Sequence, residues 1–190
     1  GALALSMGLG CGAQSRAPGE KGAPGAPVVL AEAFQTEGDA RLNIDSPAVW
    51  HGPNGEHWVL TTAKSGNVIR IDDAATGEFV RNAGRHGTGL GEFWRPNGIA
   101  VLDDIVWIVE RDNRRLQLLT LPDFRPLGAF GDDVLELPYG LTVFGEAGRY
   151  DVYITDNYEG PNDEVPADAE LGRRVHHFRV HVDGARASAE

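Results

Sequence analysis

A single cysteine, Cys11, rules out an intramolecular disulfide, and with it a disulfide-stapled scaffold or a cysteine-based zinc site. Basic charge is also scarce. Lys and Arg number 17 against 28 Asp and Glu, for a formal net charge of -11 and a pI near 4.9. That balance argues against nucleic acid or an anionic membrane surface as the main partner and favours metal cations. A polyanionic substrate would need bound cations to offset the repulsion. Long apolar stretches are missing too: GALALSMGLGCG at the N-terminus is too short to span a bilayer. No segment holds an apolar 3.6-residue period for three turns, which excludes helices as the main building unit. What remains is 42% hydrophobic content, enough to bury one sizeable core.

Residues 1–12 read as the tail of a secretory signal. Leu9-Gly10-Cys11 is similar to a bacterial lipoprotein processing box, in which the cysteine is lipidated, although Gly8 stands where a branched aliphatic belongs. The other reading is an apolar remnant with a free thiol. Both point to an exported protein, whether periplasmic, an outer-membrane lipoprotein or extracellular, with membrane contact only through a lipid anchor. Residues 13–27, dense in Pro, Gly and Ala, read as a tether, and 28–190 as the folded domain.

Beyond the tether, short β-branched and aromatic runs alternate with Gly, Asn, Asp and Pro clusters, so the chain is expected to be all-β. Strands are predicted at 48–51, 57–62, 68–72, 79–82, 98–102, 105–110, 116–121, 126–130, 140–144, 151–155 and 175–182. Pro53-Asn54-Gly55, Ser65-Gly66-Asn67, Asp103-Asp104 and Asp112-Asn113 suit hairpin turns. A repeat then sets the architecture. Ser46-Pro47-Ala48-Val49-Trp50, Arg95-Pro96-Asn97-Gly98-Ile99 and Leu137-Pro138-Tyr139-Gly140-Leu141 each open on a proline and lead into a second strand ending in a charged turn. Spacings of about 40 to 50 residues between these prolines are those of four-stranded propeller blades. The expectation is a β-propeller, about three blades of an incomplete six-bladed ring, with missing blades as partners. The stretch from GTGLGEFWRPNGIAV to VWIVERDNRRLQLLTL also resembles the NHL-type propeller repeat.

Ile44-Asp45-Ser46-Pro47-Ala48-Val49-Trp50 resembles the Asp-Asp-Pro-Ala-Ile-Trp opening of β-propeller phytases, with Ser46 replacing the second acid. Thr61-Thr62-Ala63-Lys64-Ser65-Gly66 matches their Thr-Thr-x-Lys-(Lys)-Ser-Gly turn, Asn113-Arg114 their Ser-Asn-Arg turn, and Tyr139-Gly140 their Tyr-Gly. The matches run in order across roughly residues 34 to 180. The resemblance implies a calcium-dependent phosphomonoester hydrolase acting on phytate (inositol hexakisphosphate) or another phosphorylated small molecule, with Ca2+ as cofactor and a metal-activated water as nucleophile. It assigns Lys64, Arg114 and Tyr139 to phosphate and Asp45 to calcium. Asn97 stands alone where the family has Asn-Asn-Val-Asp, so an acidic ligand is missing. The oxygen-rich run from Asp156 through Glu159 to Glu164 is a further candidate for calcium, without the EF-hand pattern. Because the family's calcium ligands come largely from later blades, the isolated chain is expected to be weak or inactive.

Each of these side chains also has a structural reading. Lys64 can be an exposed turn lysine, Arg114 can cap a hairpin with Asp112, Tyr139 can pack between blades, and Asp45 can bond its own turn. The Asp156–Glu164 run can be a solvated acidic loop. His51 and His57, and His176-His177, raise the question of a transition metal, but neighbouring strand residues face opposite sides, and surface histidines are the expectation. The Gly-rich GRHGTGLGEF lacks a Walker-type Lys-Ser ending and reads as a blade connection. The competing function is a non-catalytic NHL-like propeller binding a protein, peptide or glycan at the cell surface.

Overall fold

Short β-branched and aromatic runs, cut by turn residues, build three four-stranded antiparallel sheets in a computed structural model that describes residues 31–190. The signal-like segment 1–12 with Cys11 and the 13–27 tether lie outside the described residues. The first sheet holds β1 (Ile44–His51), β2 (His57–Ala63), β3 (Val68–Asp73) and β4 (Phe79–Ala83). The second holds β5 (Pro96–Leu102), β6 (Ile105–Glu110), β7 (Arg115–Thr120) and β8 (Arg125–Phe130). In the third are β9 (Pro138–Glu146), β10 (Arg149–Asp156), β11 (Val175–Val182) and β12 (Ala187–Ala189). Within each sheet the strands lie in chain order, and β5 neighbours both β1 and β9, an all-β, propeller-like arrangement.

Two differences from the sequence reading have physical causes. The first strand of every sheet begins earlier than expected, because a register shift carries it through its proline: between Ile44 and Pro47, between Pro96 and Ile99, and opposite Ile154–Asp156 at Pro138. Proline has no N–H for the ladder and is accommodated at such bulges. Strand β12 was not anticipated, since Ala187-Ser188-Ala189 contains no β-branched or aromatic residue; it forms by pairing with Val180–Val182.

Alternation along the second sheet produces two cores. Val106, Ile108 and Leu119 pack with Trp50, Leu60, Ile69, Ile71 and Phe93 toward the first sheet. Trp107, Val109, Leu116 and Leu118 pack with Tyr150, Val152, Ile154 and Val180 toward the third. The middle sheet is therefore apolar on both faces, and β6 is buried along its whole length.

The β5–β6 turn adds a polar clasp. Asp103 and Asp104 have φ of 52° and 55°, the pair of left-handed conformations that a two-residue type I′ hairpin requires. Trp50 of the first sheet donates its indole N–H to Asp104 Oδ1 at 2.7 Å, and Tyr150 of the third donates its hydroxyl to Asp103 Oδ2 at 2.9 Å. Burial, reinforced by this bond to Asp103, pushes the Tyr150 hydroxyl up to about 12. Each of Asp103→Ala and Asp104→Ala is expected to destabilise by about 1 kcal/mol in urea unfolding, the net worth of one hydrogen bond at a partly wet site. The two losses should not simply add, because the residues share one two-residue turn and a backbone change at either moves the other.

Candidate functional site at the leading edge of the sheets

Because strands alternate in direction, the start of each first strand lies beside the end of the second: Ile44 faces Ala63, Pro96 faces Glu110 and Pro138 faces Asp156. This leading edge also carries the β2–β3 and β6–β7 turns and the long β10–β11 connection. Every site residue singled out in the described chain therefore falls on one edge of the three sheets.

Three of them meet. The Lys64 ammonium lies 3.4 Å from Asp45 Oδ2 and 5.6 Å from the centre of the Tyr139 ring, joining the first sheet to the third. Its chain is anchored at the backbone, where Lys64 donates its N–H to Asn43 at 3.0 Å. Tyr139 is 43% exposed, so its ring faces solvent rather than packing between sheets.

Asn97 is joined to the first sheet through Thr62. Thr62 Oγ1 accepts from the Ser46 N–H at 3.1 Å and donates to the Asn97 carbonyl at 2.7 Å, tying the first two sheets together. Approach to the third sheet is as close: a Cβ on Gly98 would come within 2.7 Å of the Tyr139 carbonyl. The Asn97 side chain is fully buried, yet both its amide atoms lack a hydrogen-bond partner, and Asp45 Oδ2 is also buried without a hydrogen bond. Buried polar atoms without partners are uncommon in folded proteins.

Arg114 stands apart. It sits at φ 53° in the β6–β7 turn and lines a depression of about 350 Å³ with Asp133, Val134, Leu135, Glu136, Arg173 and His176. Its expected partner Asp112 is approached instead by Arg111, at 4.0 Å.

Asp156 is engaged by the backbone. It is 2% exposed and accepts the N–H groups of Glu136, Leu137 and Tyr158 at 2.8, 2.8 and 3.1 Å, pinning the loop that leads into β9. Glu159 is exposed on the β10–β11 connection and borders a separate depression with Tyr158 and Arg173. Among the described residues no three His, Cys, Asp or Glu side chains gather closely enough to hold a metal ion. Asn97 Oδ1 is a buried oxygen with no hydrogen-bond partner, Asp45 Oδ2 is engaged by the Lys64 ammonium, and the Asp156 carboxylate already serves three N–H groups.

Glu110 was not singled out from the sequence, although VWIVE and VYITD align it with Asp156. It is fully buried, and like Asp156 it holds the loop that leads into its own sheet, accepting the Trp94 N–H at 3.1 Å. Arg115 Nε at 2.6 Å, Gln117 at 2.9 Å and Asn113 also donate to it. Burial pushes its carboxyl above the usual range, against the Arg115 guanidinium pulling it down. Arg115 further donates to the carbonyls of Thr88, Gly89 and Glu92, so the glycine-rich segment is a pinned connection from β4 to β5.

Adjacent His176 and His177 face opposite sides as expected. His177 Nε2 lies 2.6 Å from Asp151 and its ring stacks on Tyr153, whereas His176 approaches Asp156 at 3.7 Å. A depression of about 550 Å³, lined by Arg149, Asp151, Arg179 and His181, lies at the opposite edge of the third sheet and contains none of the expected site residues. No helix among the described residues is long and apolar enough to cross a membrane.

No family model and no curated protein matches the chain. Among solved structures, hydrazine synthase of Kuenenia stuttgartiensis is similar over 82% of this chain and 38% of its own, with 9% identity and a TM-score of 0.49. This chain thus spans well under half the length of that protein, and a likeness at this level carries no chemistry across.

Proposed function

We propose that this chain is the phosphate-recognising part of a propeller hydrolase that acts on phytate or a related phosphomonoester with calcium, the ring of about six blades being completed by further sheets. The observation that supports this reading is the meeting of Asp45, Lys64 and Tyr139, three residues drawn from separate segments by resemblance alone. The chemistry follows from their types. Lys64 supplies a compact charge to a phosphate oxygen and Tyr139 one hydroxyl donor, while Asp45 holds the ammonium in place until an anion arrives. Asp45 and Asn97 would hold calcium once an anion had drawn the Lys64 ammonium away from Asp45, and the ion when bound would neutralise phosphate charge and activate water. Arg114 would reach a phosphate only on a ligand long enough to extend toward the junction of the second and third sheets.

Titration of phytate into the chain with calcium present, followed by calorimetry, tests this. Lys64→Ala is expected to weaken binding by about 10- to 100-fold, the worth of a charge-assisted hydrogen bond to phosphate, and Tyr139→Phe by less. Equal affinity in Lys64→Ala and the unsubstituted chain would overturn the proposal.

The engagement of Asp156 by backbone N–H groups and the separation of Arg114 favour a second reading, a non-catalytic NHL-like propeller binding a protein, peptide or glycan. Capture of a specific partner that survives Lys64→Ala combined with Arg114→Ala would support it.

A further inference from the structure

We propose that His51 and His57 form a two-histidine site for a borderline divalent transition metal ion such as zinc, nickel or copper(II). The two residues face each other across the last rung of the β1–β2 hairpin, away from the leading edge. Their Nδ1 atoms lie 2.7 Å apart, with ring centroids at 4.9 Å and planes inclined by 67°. At that separation one imidazole donates its Nδ1 proton to the lone pair of the other, so the two nitrogens face each other. A metal ion takes the place of that shared proton, which moves to Nε2 of the donor ring so that both imidazoles bind as neutral Nε2–H tautomers. Two nitrogens each about 2.0–2.1 Å from a tetrahedral ion stand about 3.3 Å apart, so the rings need to part by only about 0.6 Å.

The surroundings suit an exchangeable ion. Both rings are exposed, which leaves room for water at the remaining coordination positions. The turn that joins the strands is fixed by Gly52 donating to the Glu56 carbonyl at 2.7 Å and Gly55 donating to the Gly52 carbonyl at 3.3 Å, so the ligands are held in register before the ion arrives. Glu56 and Asp73 act electrostatically on His57, adding negative potential at the site. Imidazole ligation selects transition ions over calcium, so this site is independent of the phosphate-handling proposal and of its cation. A bound ion would cross-link β1 to β2 beside the turn that joins them.

Titration of zinc chloride or nickel chloride into the full chain, read by calorimetry and by long-range proton–nitrogen NMR of the imidazoles, tests the proposal. One equivalent should shift or broaden the His51 and His57 signals first, while calcium chloride leaves them unchanged. His51→Ala and His57→Ala should each weaken binding by at least about tenfold, and His177→Ala should leave it unaltered. Metal-induced shifts confined to His86, His176, His177 or His181, or equal affinity in all variants, would overturn it. Should a substituted chain fail to fold, the resonance assignments in the unsubstituted protein decide alone.

Discussion

Glu110→Ala should lower the unfolding free energy by about 3–5 kcal/mol, read from the urea midpoint, the range for removing one partner of a buried ion pair. The carboxylate is fully buried, and its removal strands the Arg115 guanidinium together with donors from Gln117 and the Trp94 backbone. Since Arg115 also ties down the carbonyls of Thr88, Gly89 and Glu92, the damage should spread into residues 84–95 as faster amide exchange. Glu110→Gln, which keeps an acceptor oxygen, should recover part of the loss. The pH dependence has a definite sign. A carboxyl raised by burial binds its proton more tightly in the folded state, so its contribution is full below the ordinary carboxylate range and declines as pH rises through the raised value. Glutamine does not titrate, so the gap between the unsubstituted protein and Glu110→Gln should narrow across that window.

Asp156→Ala should cost about 2–3 kcal/mol, because two N–H groups ahead of β9 and that of Tyr158 lose their shared, almost fully buried acceptor. The variant also separates two roles for this residue. If the carboxylate serves only as a latch, the rise in melting temperature on adding calcium will be the same size in Asp156→Ala as in the unsubstituted chain. A ligand role predicts that the rise shrinks or disappears.

The all-β class and the strand layout were legible because the chemistry that specifies them is local. Prolines, hairpin residues such as Asp103-Asp104 and alternating apolar runs announce their positions within a few residues. β12 was hidden, since Ala187-Ser188-Ala189 is held by pairing rather than propensity. The resemblance grouped Lys64, Arg114 and Tyr139; Lys64 and Tyr139 meet and Arg114 does not, as nothing local relates residues on different sheets. The commitments of carboxylates were illegible for the same reason: Asp156, Asp103 and Asp104 are alike as sequence, yet one latches a loop and two clasp neighbouring sheets. Glu110 could have been found by asking what Asp156 aligns with in the preceding repeat.

The two-residue turn at Asp103-Asp104 looks from outside like a place where extra residues would do no harm, since most exposed hairpin tips accept insertions. Here the spacing is part of the fastening. One additional residue would swing one of the two carboxylates to the wrong side, releasing either the indole of Trp50 or the phenol of Tyr150, so length variation should be poorly tolerated at this surface loop.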